Sequence, residues 1–475
     1  MFDRVIEGAT VVSPSRSRRA NVGITGEKIA AVDTQPLPGR ETIDGTGKWL
    51  IPGVIDTHLH LQPELSDEDR AAGLEPWADG YDSGTVAAAF GGVTTVIDMR
   101  IQTQRPGARA TDAVLRGIED AGRKAVVDFA FHAGLTYASS ETLAEIPELV
   151  AMGVPSFKFF LTYPNWRIKV DLGFLYDAFV EIHRSNGIGA VHCEDDRVIE
   201  RFKRALIAAG RKDLAAYADV RPDFAEEIAI SEVGVVARET GAAAYAVHVS
   251  SQKGLSAGRR AKAESPRFYL ECVPHYLAFT SDVFRLPPER AAQFIMGPPF
   301  RGEEDIIALW EGIRDGSIDW MGSDHSPYRL AQKTRDLRFY ADAAGAGERI
   351  EYAIPTGVDG TEILLPLMLS EGVNRGRIGM ERLVELLAET PARVLGLSRK
   401  GAIRPGFDAD LVLIDLDEVR TVRSTDLHSR GDFTLYEGMR LTGWPVMTLS
   451  RGKIVVSGTT LYGQAGDGRF VKRSL

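Results

Sequence analysis

The ten residues "GVIDTHLHLQ", Gly53 to Gln62, decide how this chain is read. Their apolar, β-branched character predicts a strand, yet two histidines stand one residue apart within it. Side chains alternate along a strand, so His58 and His60 share a face with Asp56. Taken alone, the pair has a bland reading: one imidazole packed in a core and the other solvated. The rest of the chain has to choose between that reading and a pair of ligands.

Outward from this strand the chain alternates. Strand-length apolar runs are "VIDTHLHL" (54–61), "VTTVIDM" (93–99), "VVDFAFH" (126–132) and "SFKFFLTY" (156–163). They continue with "GAVHCE" (189–194), "YAVHVSS" (245–251), "FYLECVPHYL" (268–277) and "IDWMGSDH" (318–325). Between them lie helix-length segments such as "SGTVAAAFGG", "ATDAVLRGIEDAGRKA", "LGFLYDAFVEIHRSNG" and "EEDIIALWEGIRDG". Eight such units predict a closed (β/α)8 TIM barrel. The mostly helical stretch 195–244 exceeds a minimal barrel, as do "TEILLPLMLSEGVNRG" and "MERLVELLAETPARVLG" after His325. The two ends are different in kind. Both are short β-rich pieces, such as "RVIEGATVV" and "GFDADLVLIDLD", with no long helix. They predict a small β-sandwich domain from residues 1–52 plus 400–475, beside a barrel over 53–399.

Composition narrows the function. The chain has 475 residues, 44% of them apolar, and a formal charge of -10. That suffices for a large core and argues against nucleic acid or an anionic membrane as partner. No apolar run approaches the roughly 20 residues of a bilayer span. The start, "MFDRVIEGATVVSP", lacks a signal-peptide core. Two cysteines, Cys193 and Cys272, make no disulfide framework and fit a reducing compartment. A soluble cytoplasmic protein is expected.

Barrel enzymes carry their chemistry at the C-terminal ends of the strands. His58 and His60 end the first run, His192 the fifth and His248 the sixth, while Asp324 ends the eighth. Lys158 lies within the fourth. Each has an ordinary reading alone: an ion-paired lysine, a packed histidine, a turn aspartate. Together they converge on one mouth of the barrel. Imidazole and carboxylate suit Zn²⁺ and similar divalent ions. Four histidines and one aspartate exceed what one catalytic ion needs, so two ions are expected, roughly 3.5–4 Å apart with a bridging ligand. A neutral Lys158 amine can add CO2 and become an anionic carbamate, whose two oxygens can bridge.

These motifs resemble the amidohydrolase superfamily, and within it the hydantoinase/dihydropyrimidinase family. "PGVIDTHLHLQ", "SFKFFLTY", "VHCED", "VHVSS", "CVPHYL", "MGPPFR", "GSDHSPY" and "GFDADLVLID" carry the likeness along nearly the whole chain. The resemblance implies that His58, His60 and Asp324 hold the more buried ion and that His192 and His248 hold the other. Carbamylated Lys158 would bridge them. Zinc is the first candidate and manganese an alternative. It implies Asp324 as the general base that later protonates the leaving nitrogen, and Tyr163 as a hydrogen-bond donor to the oxyanion. The segments "MGPPFR", with Gly297, and "PTGVDG", with Asp359, would hold the cyclic amide through their backbones. Many relatives have Ser at the Gly297 position, and dihydropyrimidinases tend to have Asn at that of Asp359. The family likeness also implies a homotetramer.

The expected reaction is ring opening of a hydantoin or dihydropyrimidine to an N-carbamoyl amino acid. Allantoinase is the alternative, and "CVPHYL" with His275 resembles allantoinases, although a structural histidine on strand seven is the plainer reading. Tyr163 argues for the hydantoinase side. Dihydroorotases usually place an arginine where this chain has Gln62. Collapsin response mediator proteins are similar in fold but act as non-enzymatic assembly proteins without metal ligands, whereas here all six ligand positions are filled. His325 and His132 read as residues behind the ligands or in packing, and Cys193 as a buried outward thiol.

Overall fold

The computed structural model describes residues 1–61, 76–102, 107–163, 168–342 and 350–475. The apolar runs form eight parallel neighbours: Val54–Leu59, Val93–Ile101, Asp128–Gly134, Ser156–Phe160, Ile188–His192, Ala243–Ala246, Phe268–Cys272 and Trp320–Met321. These are referred to as strands one to eight. The ring closes where Leu59 bridges His325 and the His60 N–H donates to the His325 carbonyl at 2.8 Å. Strands sandwiched between a filled lumen and covering helices are buried on both faces, which is why they read as continuous apolar runs.

Helices follow at the expected places: Tyr81–Phe90, Ala110–Lys124, Leu172–Arg184 and Glu303–Asp315. Asp171 caps the third of these by accepting from the Phe174 N–H at 2.8 Å. Left-handed Gly316 ends the fourth. The long stretch after strand five holds helices Asp196–Ala208 and Asp223–Thr240. The late segments are not uniform α-helices, since Met368–Asn374 and Glu385–Glu389 run as π-helix.

Three strands are shorter than their apolar runs. Strand six stops at Ala246, so His248 stands on the turn beyond it. Strand eight has only two residues, and Asp324 lies on the following segment. His275 is not on strand seven as expected but on the helical turn Pro274–Leu277 after it. Pro274 has no N–H for the sheet and favours that turn.

Both termini build a nine-stranded sheet. Trp49–Pro52 pairs antiparallel with Leu411–Thr421, joining the two ends of the chain. The sheet encloses its own apolar cluster, including Ile6, Val22, Ile29, Leu50, Leu411 and Leu449. Buried Lys400 ties it to the barrel by contacting Asp410 and Asp128, the latter at 2.8 Å on strand three.

At the strands' N-terminal ends, Ile55, Ala130, Ala190, Tyr245 and Trp320 pack with Leu395 and Leu397 and plug the lumen. The C-terminal mouth is left to carry the polar groups. Among the described residues no helix is long and apolar enough to cross a membrane.

Candidate metal centre

Strict alternation fails inside the opening strand. Ile55, Asp56 and Leu59 face Thr95, Val96 and Asp98, so one extra residue is accommodated between Asp56 and Leu59. The Asp56 carboxylate accepts from the Ser323 N–H at 3.0 Å and from the Thr361 hydroxyl at 2.8 Å. It braces the segment after strand eight and stands outside the ligand cluster. His58 and His60 meet Asp324 instead: its Oδ1 lies 3.2 Å from His58 Nε2 and 3.3 Å from His60 Nε2. One atom from each of the three lies within 4.8 Å of the others, a spacing that could hold a metal ion.

Across the lumen, His192 Nδ1 lies 2.9 Å from His248 Nε2. The His58 and His248 rings stack at 5.4 Å between centroids, so the two histidine pairs adjoin. Lys158 is fully buried, and its charge is felt by His60, His192, His248 and Asp324. The structure thus brings together all six residues singled out as ligands. Three of the expected site residues sit at positive φ, a strained region for a side chain other than glycine: Tyr163 at 69°, His248 at 41° and Asp324 at 49°. The fold holds each where strand geometry alone would not.

Two carboxylates that sequence reasoning did not assign fix the imidazoles. Glu271 lies 2.6 Å from His58 Nδ1 and is itself held by the Thr57 hydroxyl and the Trp320 indole. Glu194 lies 2.7 Å from His192 Nε2. Each makes its histidine donate from the outer nitrogen, which leaves the inner lone pair for a cation. Burial pulls His60 and His192 down to about 4, against the pull of their acidic neighbours, and holds His248 well below its ordinary value. These imidazoles are neutral near pH 7. Burial opposes ionisation of Asp324, but His58, His60 and Lys158 outweigh it and hold the carboxyl well below its usual range. For Lys158, burial lowers the amine to about 8 although Asp324 and Glu271 pull the other way.

The donor set fits divalent cations. His58 Nε2, which faces Asp324, and Lys158 Nζ are buried without a hydrogen-bond partner among the described residues. A buried polar atom left in that state costs about 1–3 kcal/mol, so these two imply a ligand that meets their needs.

The amidohydrolase family profile matches residues 49–455, from the strand before the histidine pair into the terminal sheet. The chain belongs to the amidohydrolase family. This amidohydrolase is 33% identical to an L-hydantoinase of Paenarthrobacter aurescens, covering 100% of this chain and 98% of that one. It is 31% identical to a D-hydantoinase of Ralstonia pickettii over 99% of both. In structure it is similar to a dihydropyrimidinase from Brevibacillus agri, with a TM-score of 0.91 at 30% identity over 99% of this chain and 98% of that one. These likenesses set the amidohydrolase within the hydantoinase/dihydropyrimidinase branch.

The remaining expectations fall around the same mouth. Tyr163 follows strand four, 5.0 Å from the His192 ring, and its hydroxyl accepts from Arg221 Nη2 at 3.1 Å. Arg221 is fully buried and also engages Glu194, with Nε donating to Oε1 at 2.9 Å. One guanidinium therefore joins the tyrosine to the support of His192. Gly297 completes this corner: a Cβ there would stand 2.1 Å from the Tyr163 hydroxyl and 2.9 Å from Arg221 Nη2. The Asp359 side chain is buried toward Thr434 and Leu435, and burial raises it to about 6. Its neighbour Gly360 donates to His325 Nδ1 at 3.1 Å, while His325 Nε2 meets Asp79 at 2.9 Å. His325 thus ties the segment after strand eight to Gly360 and Asp79. His132 sits within strand three and reaches the Thr57 carbonyl at 3.0 Å. Cys193 is a free, buried thiol, as is Cys272. Gln62 lies outside the described residues.

Proposed function

We propose that this amidohydrolase uses two divalent ions to open a cyclic amide, a hydantoin or dihydropyrimidine, to an N-carbamoyl amino acid. The observation that carries the reading is the convergence of His58, His60 and Asp324 with His192, His248 and the Lys158 amine, which has no hydrogen-bond partner among the described residues, in one buried lumen. Relatives called hydantoinase and dihydropyrimidinase match it end to end. In this reading His58, His60 and Asp324 hold one ion, and His192 and His248 the other. Lys158 would serve both ions as a carbamate, formed when its neutral amine adds to CO2 and releases a proton. Zn²⁺ suits the nitrogen and oxygen donors, with Mn²⁺ as the alternative. When bound, such ions polarise a carbonyl and make water a nucleophile at neutral pH.

The side chains divide the remaining work. Asp324, held ionised, accepts the proton of the attacking water and returns it to the ring nitrogen as the C–N bond breaks. Tyr163 donates its hydroxyl proton to the carbonyl oxygen as that oxygen gains charge. Accepting from Arg221 polarises the phenol for that role. Glu271 and Glu194 keep His58 and His192 in the ligating tautomer. The backbones of 296–301, including Gly297, and of 355–360, including Asp359, grip the ring amide.

The barrel over 53–399 carries this chemistry in our reading, and 1–52 with 400–475 forms the companion β domain. We also propose a cytoplasmic homotetramer; the free cysteines suit that location. A substrate panel tests the function: hydantoin, phenylhydantoin, dihydrouracil, allantoin and dihydroorotate, each on zinc- or manganese-loaded protein with bicarbonate. Ring opening of the first three together with two ions per chain is expected. A stable, metal-free, inert protein would overturn the proposal in favour of a scaffold, and a preference for allantoin would move the chain to the allantoinases.

A further inference from the structure

Two main-chain segments carry ring recognition in the proposed function, and one buried side chain joins them. Lys333 ends the short helix Leu330–Lys333 and is fully buried. Its Nζ donates to the Ile295 carbonyl at 2.7 Å and to the Pro355 carbonyl at 2.7 Å. No carboxylate pairs with it among the described residues, and the Tyr328 ring lies 5.6 Å away. Burial alone pulls its amine well below the ordinary lysine value. A methionine would fill similar space without the penalty of burying an ammonium. The amine must therefore be explained by what it holds.

What it holds is a pair of carbonyls at the roots of the two segments. Ile295 directly precedes "MGPPFR", and Pro355 opens "PTGVDG". A second stitch lies beside it, since the Gly357 N–H donates to the same Ile295 carbonyl at 3.1 Å. Gly357 has φ of 152°, and a Cβ there would stand 2.5 Å from the Ser326 carbonyl. The Ser326 N–H in turn donates to the Val358 carbonyl at 2.8 Å. Segment 355–360 is thereby fastened both to 295 and to the residues that follow Asp324.

We propose that Lys333 is a positioning residue for the substrate, a two-carbonyl clamp that sets the spacing of the walls between which the cyclic amide binds. The inference rests on the hydrolase reading for its substrate and on the hydrogen bonds for its geometry. It concerns ground-state binding of the ring, since Lys333 touches neither the ligand cluster nor Tyr163.

The test is Lys333→Met, which keeps bulk and removes every donor, with Lys333→Gln as a milder variant retaining one amide donor. Steady-state kinetics on the zinc-loaded enzyme should show KM for hydantoin or dihydrouracil raised about tenfold, with kcat within about threefold, the pattern of lost uniform binding. Metal content should be unchanged, and Lys333→Gln should fall between. Hydrogen–deuterium exchange should quicken together in 295–301 and 355–361. An unchanged KM in Lys333→Met, or exchange that rises only near 328–334 or evenly over the chain, would overturn the clamp. If wild-type protein opens no ring amide, the hydrolase reading fails by itself, and the exchange pattern still decides whether Lys333 joins the two segments.

Discussion

Replacing Arg221 by methionine tests the most connected part of the site. Arg221 and Glu194 are both fully buried and share two hydrogen bonds, and the same guanidinium donates to Tyr163 at 3.1 Å. The substitution keeps much of the side-chain volume but leaves the Glu194 carboxylate facing the His192 ring at 2.7 Å without the guanidinium. Stranding one member of a buried pair costs about 3–5 kcal/mol, and this should appear as a lower midpoint in urea unfolding. The catalytic loss is separate. Tyr163 loses the contact that aligns its hydroxyl, and removing one oxyanion donor is worth about 2.7–4 kcal/mol, or roughly 100- to 1000-fold in kcat. Tyr163→Phe should cost the same amount with little loss of stability. Because both variants break one chain of contacts, the double variant should lose little more activity than the worse single one. Activity losses that add to within about 0.5 kcal/mol would show that Arg221 and Tyr163 act independently and would refute the reasoning.

Three further outcomes are expected. Lys158→Ala should lose bound metal, by elemental analysis, and most activity, with partial rescue by short carboxylic acids; full metal content at full rate would remove the bridge. Glu226 is raised to about 7 by burial, against the pull of Arg301, Ser251 and Ser250. The folded state therefore binds a proton that the unfolded chain, near 4.5, has released, so stability should fall as pH rises from about 4.5 to about 7, by about 3 kcal/mol at most. Glu226→Gln should flatten that slope in urea titrations at stepped pH, and parallel curves would exclude Glu226 as its source. Lys400→Met should destabilise by about 3–5 kcal/mol, since it strands Asp410, whereas Asp128 keeps Arg451 at 3.0 Å. Adding Asp410→Asn should recover part of the loss in thermal unfolding, and no recovery would mean that charge is not the cause.

The local pattern of the chain determined the architecture. Apolar runs of strand length, spaced by amphipathic segments, specify alternating strands and helices because burial on two faces or on one stripe leaves a repeat in the sequence. The same pattern put His58, His60, His192, His248 and Asp324 near strand ends, and hence at one mouth. Only the tertiary structure decided how those side chains meet. A one-residue irregularity between Asp56 and Leu59 took Asp56 out of the cluster, and periodicity cannot register such a step. Glu271 supports His58 from 213 positions away, and Arg221 reaches Tyr163 across 58. Lys333 joins carbonyls 38 and 22 positions from it. Such partners carry no local signature, because ring closure chooses them by bringing distant strand ends within hydrogen-bond range. The "HCE" spacing was the one available hint, in which the acid two places after His192 turned back to hold it. Sequence decides which groups are available at the mouth of the barrel; closure of the ring decides which of them touch, because contact depends on distances that no linear spacing encodes.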